Sequence, residues 1–138
     1  MTRNSLAIIG ENRLSQELLE LSRGAGLEAV LLSDLAELTP TTPLVIETSS
    51  SQVEKKKSLL QKLDLALPSP AVIITSCLGF ATTLMASWTA KPERIVGFAT
   101  FYPFKDRKVI ELAAGIRTAE SAIQSAEQLF KTIGKETF

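Results

Sequence analysis

Short, uninterrupted apolar runs alternate with amphipathic stretches along this chain, and no other feature constrains its fold as much. Leu6-Ala-Ile-Ile9, Ala29-Val-Leu-Leu32, Pro43-Leu-Val-Ile46 and Ala71-Val-Ile-Ile74 are too short for core helices and lack polar alternation. They read as strands buried on both faces. Arg94 to Phe98 predicts a fifth strand, and the apolar content of Val109 to Ala113 a sixth. Between the first two runs, Leu14, Leu18 and Leu21 recur at helical spacing opposite Gln16, Glu17, Glu20 and Arg23, and Gly24 and Gly26 supply the stop. Ser51-Gln-Val-Glu54 has the spacing of a capping box and opens a helix expected to turn Val53, Leu59, Leu60 and Leu63 inward. Phe80 to Trp88 predicts a short helix. Thr118 is placed to cap a last one, whose apolar face is Ala122, Ile123, Ala126, Leu129, Phe130 and Ile133, closed by Gly134. The expected fold is a doubly wound, three-layer αβα domain around a mostly parallel sheet, with an edge strand of opposite sense near Val109 to Ala113. The least structured part is expected from Ser33 to Thr42.

At 138 residues the chain is read as one domain, 1–138, with one core. Lys plus Arg equals Asp plus Glu at 15 each, so no global field favours nucleic acid or an acidic membrane surface. No apolar run approaches the roughly 18 to 20 residues of a membrane span, and Met1 to Ser5 leads into too short an apolar run for a signal peptide. The single Cys77 fits a reducing, cytoplasmic setting. With one cysteine and no histidine, a structural zinc site is not expected.

The first strand ends in Gly10-Glu11-Asn12-Arg13-Leu14-Ser15, where a dinucleotide-binding turn has Gly-x-Gly-x-x-Gly. Only the first glycine is present. Asn12 tolerates positive φ better than other non-glycine residues, but its amide is expected to crowd an approaching diphosphate. Ser15 is a candidate helix cap, Glu11 a repulsive charge, and Arg13 an offsetting one. An ordinary turn is the competing reading. The acidic residue that holds an adenosine ribose falls in register at Ser33, with Asp34 next to it; Asp34 reaches the ribose only if the strand end is bulged, and reads more simply as a loop aspartate that begins a turn. No arginine follows the second strand to receive a 2′-phosphate, which favours NAD over NADP. Lys55-Lys-Lys57 reads either as a phosphate contact or, more simply, as the solvated face of its helix. Ser76 and Cys77 have no histidine to activate them, and Cys77 reads as a small core residue.

Ile95-Val-Gly-Phe-Ala-Thr-Phe-Tyr-Pro103, followed by Glu111, resembles the active-site strand of the 3-hydroxyacyl-CoA dehydrogenase family, with its Gly-x-His-Phe-Phe-Asn-Pro run and later glutamate. Gly97, Phe101, Pro103 and Glu111 fall in register; the histidine is replaced by Ala99. Val45-Ile-Glu47, Thr75-Ser-Cys-Leu78, Glu111-Leu-Ala-Ala-Gly115-Ile-Arg-Thr118 and Leu129-Phe-x-x-Ile-Gly-Lys135 are similar to further family segments in the same order.

The resemblance implies an NAD-binding Rossmann domain. It makes Gly10, Asn12, Arg13, Ser33, Asp34, Ser51 and Lys56 candidate cofactor-binding residues, with Ser51 standing where the family has a glutamate. It places Ser76 near the substrate oxygen and Glu111 as the catalytic carboxylate whose histidine is lost at Ala99; without that histidine, Glu111 reads more simply as a strand residue facing solvent. Against it stand the short segment before Pro43, where the family has a helical arm, and an end at Phe138, ahead of the family's last strand and helical domain. Phe98, Phe101, Tyr102 and Phe104 read as core packing against the last helix, or as a docking surface if exposed. Three readings follow: a degenerate domain, inactive alone, with weak or lost NAD binding; a working oxidoreductase subunit completed by a partner dehydrogenase domain or a homodimer; or a protein-interaction module.

Overall fold

The structure is a computed structural model that describes residues 5–50 and 52–138. Seven strands form one sheet: β1 (Ser5–Ile9), β2 (Glu28–Leu32), β3 (Leu44–Glu47), β4 (Val72–Ser76), β5 (Ile95–Ala99), β6 (Val109–Ala114) and β7 (Glu136–Thr137). Their order is β2-β1-β3-β4-β5-β6-β7. The first five are parallel, and β6 runs antiparallel to β5. That is the expected strand of opposite sense, and β7 adds a short strand beyond it. A strand therefore does follow Lys135, contrary to the expectation that the chain stops before one; Glu136 N donates to Lys108 O at 2.8 Å and Phe138 N to Ile110 O at 3.2 Å.

Helices α1 (Arg13–Gly24), α2 (Val53–Ala66), α3 (Thr82–Ser87) and α4 (Glu120–Thr132) cover both faces. Because strand side chains alternate, Leu6 and Ile8 join Leu18 of α1 and Ala126, Leu129 and Phe130 of α4 in one core. Ala7 and Ile9 join Leu60 and Leu63 of α2 and Met85 of α3 in the other. Continuous apolar runs are thus consumed by two cores at once. Gly97 lets α3 lie close on β5: a Cβ there would fall 2.1 Å from Thr82 Oγ1.

Several local expectations are corrected. Val53 is 44% exposed, because it opens α2 on the solvent side. Ser51 and its capping box lie outside the described residues, and Gln52 precedes α2 with no side-chain cap bond. Thr118 does not cap α4, which begins after Ala119. Its hydroxyl instead donates to Ile95 O and accepts from Gly115 N, both at 2.8 Å, tying the turn to β5. The segment after Ser33 contains a 3-10 turn at Leu35–Glu37. No helix among the described residues is long and apolar enough to cross a membrane.

Candidate functional site

The chain leaves β1 on one side for β2 and returns to β3 on the other, so the sheet reverses its winding between β1 and β3. Ligands of open α/β sheets settle in the crevice beyond the strand ends at such a point. Gly10 lies there with φ +140°, and a Cβ on it would fall 1.9 Å from Thr48 Oγ1. The loop can therefore pack onto the end of β3 only as glycine.

Asn12 then opens α1 from extended backbone at φ −149°, so it needs no positive φ. Its Oδ1 accepts from Ser15 N and Ser15 Oγ, each at 2.9 Å, and its Nδ2 donates to Thr48 O at 3.3 Å. Asn12, not Ser15, is the cap. The carboxamide expected to crowd a diphosphate is tied instead to Ser15 and Thr48. The amides of Arg13 and Leu14, in the first turn of α1, have no acceptor within the helix. They are the groups a helix N-terminus offers to an anion.

A hollow of about 480 Å³ opens over this loop, lined by Gly10, Glu11, Asn12, Arg13, Leu32 and Ser33 among others. Its walls fit the adenosine and diphosphate half of a dinucleotide: a glycine turn, free helix amides, a strand end and one arginine. Glu11 lines the same hollow. Ser33 lies in this hollow, with its Oγ donating to Glu37 Oε1 at 3.0 Å. Asp34 is spent otherwise, accepting from Ala36 N at 3.0 Å to open the 3-10 turn.

A second hollow of about 300 Å³ lies beyond β4 and β5 and is lined by Ser76, Thr100, Phe101 and Tyr102, together with Arg13 and Thr48. Arg13 borders both hollows. Its guanidinium donates to the Tyr102 hydroxyl and sits 5.2 Å from the centroid of that ring. Ser76 and Thr100 are buried, and Thr100 Oγ1 has no partner among the described residues. Of the aromatic group, Phe98 packs on Phe130 of α4 with centroids 5.8 Å apart, and Phe104 is fully buried. Phe101 and Tyr102 are 67% and 58% exposed on the rim. A hollow of about 680 Å³ lies at the opposite end of the sheet between the strand starts and α4, and among the described residues no ionisable side chain lines it.

Across the β5–β6 pair, Ala99 lies directly opposite Glu111. Directly opposed residues of an antiparallel pair share a face, their Cβ atoms about 5 Å apart. Cys77 is close by, half-buried, its amide donating to Phe98 O at 2.9 Å. Burial pushes its thiol up, and the Glu111 carboxylate adds to the rise. Glu111 is exposed. The position that holds a proton acceptor in the Gly-x-His pattern thus carries a methyl group.

Beneath the site lies a polar cluster. Lys56 and Glu47 are both fully buried, with Lys56 Nζ donating to Glu47 Oε2 at 2.6 Å and also to Ser49 O. Thr75 Oγ1 donates to the same carboxylate oxygen at 2.7 Å, and Ser49 N to the other at 2.6 Å. Burial lowers the Lys56 ammonium below the ordinary lysine value, while Glu47 opposes the fall. The solvated-face reading of the lysine triplet holds for Lys55 but not for Lys56. Lys56 is absent from the linings of both hollows at this end of the sheet. Thr48, Glu37 and Thr100 were not singled out in sequence, since isolated polar residues beside strand ends carry no spacing signal. Glu47 was legible as a carboxylate ending an apolar run and as part of the family-like Val45-Ile-Glu47 segment, but not as the partner of Lys56.

The family model described as 3-hydroxyacyl-CoA dehydrogenase, NAD binding domain, matches residues 10–138. An L-carnitine dehydrogenase of Streptomyces griseus is 32% identical over 120 residues, which are 86% of this chain and 36% of that protein. A 3-hydroxyadipyl-CoA dehydrogenase of Escherichia coli is 30% identical over 93 residues, 67% of this chain and 20% of that protein. The crystal structure of a (S)-3-hydroxybutyryl-CoA dehydrogenase from Ralstonia eutropha superposes with a TM-score of 0.89 at 19% identity, covering 99% of this chain and 63% of that one. The chain spans about a third of the length of the L-carnitine dehydrogenases it matches. With the family pattern matched across the sheet, the switch-point loop and the β5–β6 pair, the chain belongs to the 3-hydroxyacyl-CoA dehydrogenase family, in its NAD-binding domain.

Proposed function

We propose that this domain holds NAD weakly at the head of α1 and does not, by itself, oxidise a 3-hydroxyacyl-CoA. The observation that carries this reading is the Ala99–Glu111 pair. Bound NAD would supply the hydride acceptor. The free amides of Arg13 and Leu14, with the Arg13 side chain, would hold its diphosphate, and Ser33 would face the adenosine ribose. Ser76 would lie beside the substrate oxygen. What the chain does not supply is a base for the hydroxyl proton: alanine cannot titrate, and Glu111 stands without the imidazole it would orient. A positioned base contributes roughly 10²–10⁴-fold. The Glu11 carboxylate beside the diphosphate and the commitment of Lys56 to Glu47 both favour weak binding.

Calorimetric titration with NAD and NADH to millimolar ligand, paired with an absorbance assay on a 3-hydroxybutyryl-CoA, tests both halves. Saturable binding without turnover is the expected result. Turnover by the domain alone sinks the inactive half; absence of both heat and thermal shift sinks the binding half and leaves the interaction module as the leading reading.

A second reading draws on Phe101 and Tyr102, exposed on the rim beside Leu78. Such a rim suits a partner dehydrogenase domain or a second copy that completes the cleft. Activity appearing only on mixing with that partner would favour it.

A further inference from the structure

The nucleotide hollow has no carboxylate at the position that ordinarily reads an adenosine ribose. Register places Leu32 opposite Ile9, so Ser33 follows beside Gly10 at the mouth of the switch-point crevice. Ser33 lines the hollow. The neighbouring Asp34 accepts from Ala36 N to open the 3-10 turn and is not among the residues that line the hollow. Ser33 Oγ gives its proton to Glu37 Oε1 at 3.0 Å. A hydroxyl has one proton and two lone pairs, so this bond presents the Ser33 lone pairs to whatever occupies the hollow.

We propose that Ser33 and Glu37 together select NAD over NADP: Ser33 accepts from an adenosine ribose hydroxyl, and the Glu37 charge, one hydrogen bond behind it, rejects a 2′-phosphate. The discriminating carboxylate is displaced from the strand end to the 3-10 turn and acts through a serine. Discrimination by charge needs an unfavourable element against the wrong ligand, and Glu37 is that element. Glu11 borders the same hollow and adds to the negative field. Arg13, the one cation in the lining, donates to the Tyr102 hydroxyl and stacks on that ring, and among the described residues it makes no hydrogen bond to Ser33 or Glu37. The inference rests on the proposed NAD binding.

The test is fluorescence titration of wild type, Glu37→Gln and Ser33→Ala with NADH and with NADPH, with circular dichroism to confirm the fold. Both residues are exposed, so the variants should fold. Wild type is expected to bind NADH about tenfold or more tighter than NADPH. Glu37→Gln should narrow that ratio by strengthening NADPH, while Ser33→Ala should weaken NADH several-fold. If wild type binds NADH but Glu37→Gln leaves the ratio unchanged, the selectivity inference is overturned and the binding reading survives. If the folded wild type binds neither dinucleotide, both fall.

Discussion

Ala99 and Glu111 face each other across the antiparallel β5–β6 pair, so a residue placed at 99 meets the Glu111 carboxylate on the same face of the sheet. Ala99→His tests that geometry directly. The chain has no histidine, so the introduced imidazole gives a single titrating signal in NMR. The carboxylate favours the imidazolium, so its pKa should lie above the ordinary value of about 6.5. In the double variant Ala99→His/Glu111→Gln it should fall back. Identical titrations in the two would mean the side chains do not meet.

The Cys77 thiol is raised first by burial and then by Glu111. Alkylation proceeds through the thiolate, and a nearby negative charge disfavours that form. Glu111→Gln should therefore shift the pH–rate profile of iodoacetamide alkylation to lower pH, with faster reaction at any pH below the thiol pKa. An unmoved profile would separate the two groups electrostatically.

Lys56 and Glu47 are fully buried and hydrogen-bonded to each other. Lys56→Met leaves the carboxylate charged and unpaired, and is expected to cost about 3–5 kcal/mol in urea denaturation. Adding Glu47→Gln removes the stranded charge, keeps a carbonyl acceptor for Ser49 N and turns its NH2 toward the Thr75 hydroxyl, which can accept, so part of the loss should return. A single variant with the wild-type midpoint would rule out a buried pair.

Asn12 caps α1 and bridges to Thr48. Asn12→Ala should lower stability by about 1 kcal/mol, and it loosens the loop that carries the free amides. The unfolding midpoint reads the first effect and the NADH titration the second. A variant that keeps its stability but loses binding would show that the carboxamide itself touches ligand.

The alternation of apolar runs with helical periodicity was enough to predict the sheet, its mostly parallel sense and two helical layers, because a strand buried on both faces leaves no polar alternation. Asn12, Arg13 and Ser33 were singled out from their places next to strand ends and Ser76 from the family resemblance, and the fold brings all four to the hollows at that end of the sheet. That position 99 carries no titratable group was readable from residue type alone, since no packing makes a methyl group titrate; that a histidine stands there in the family came from the resemblance. Other roles were assigned only by tertiary contacts. Lys56 looked like one of three solvated lysines until the ends of β3 and β4 brought Glu47 and Thr75 around its ammonium. That Asn12 caps α1 and ties its carboxamide to Thr48, just past the end of β3, appears only in the folded chain. Asp34 opens a local 3-10 turn, as a loop aspartate is expected to, and the Ser33–Glu37 hydrogen bond across that turn appears only once it is folded. Periodicity reports which face of an element is apolar, and here it fixed the layers. The partner of a polar side chain depends on which strand ends meet in space, and that only the folded sheet decides.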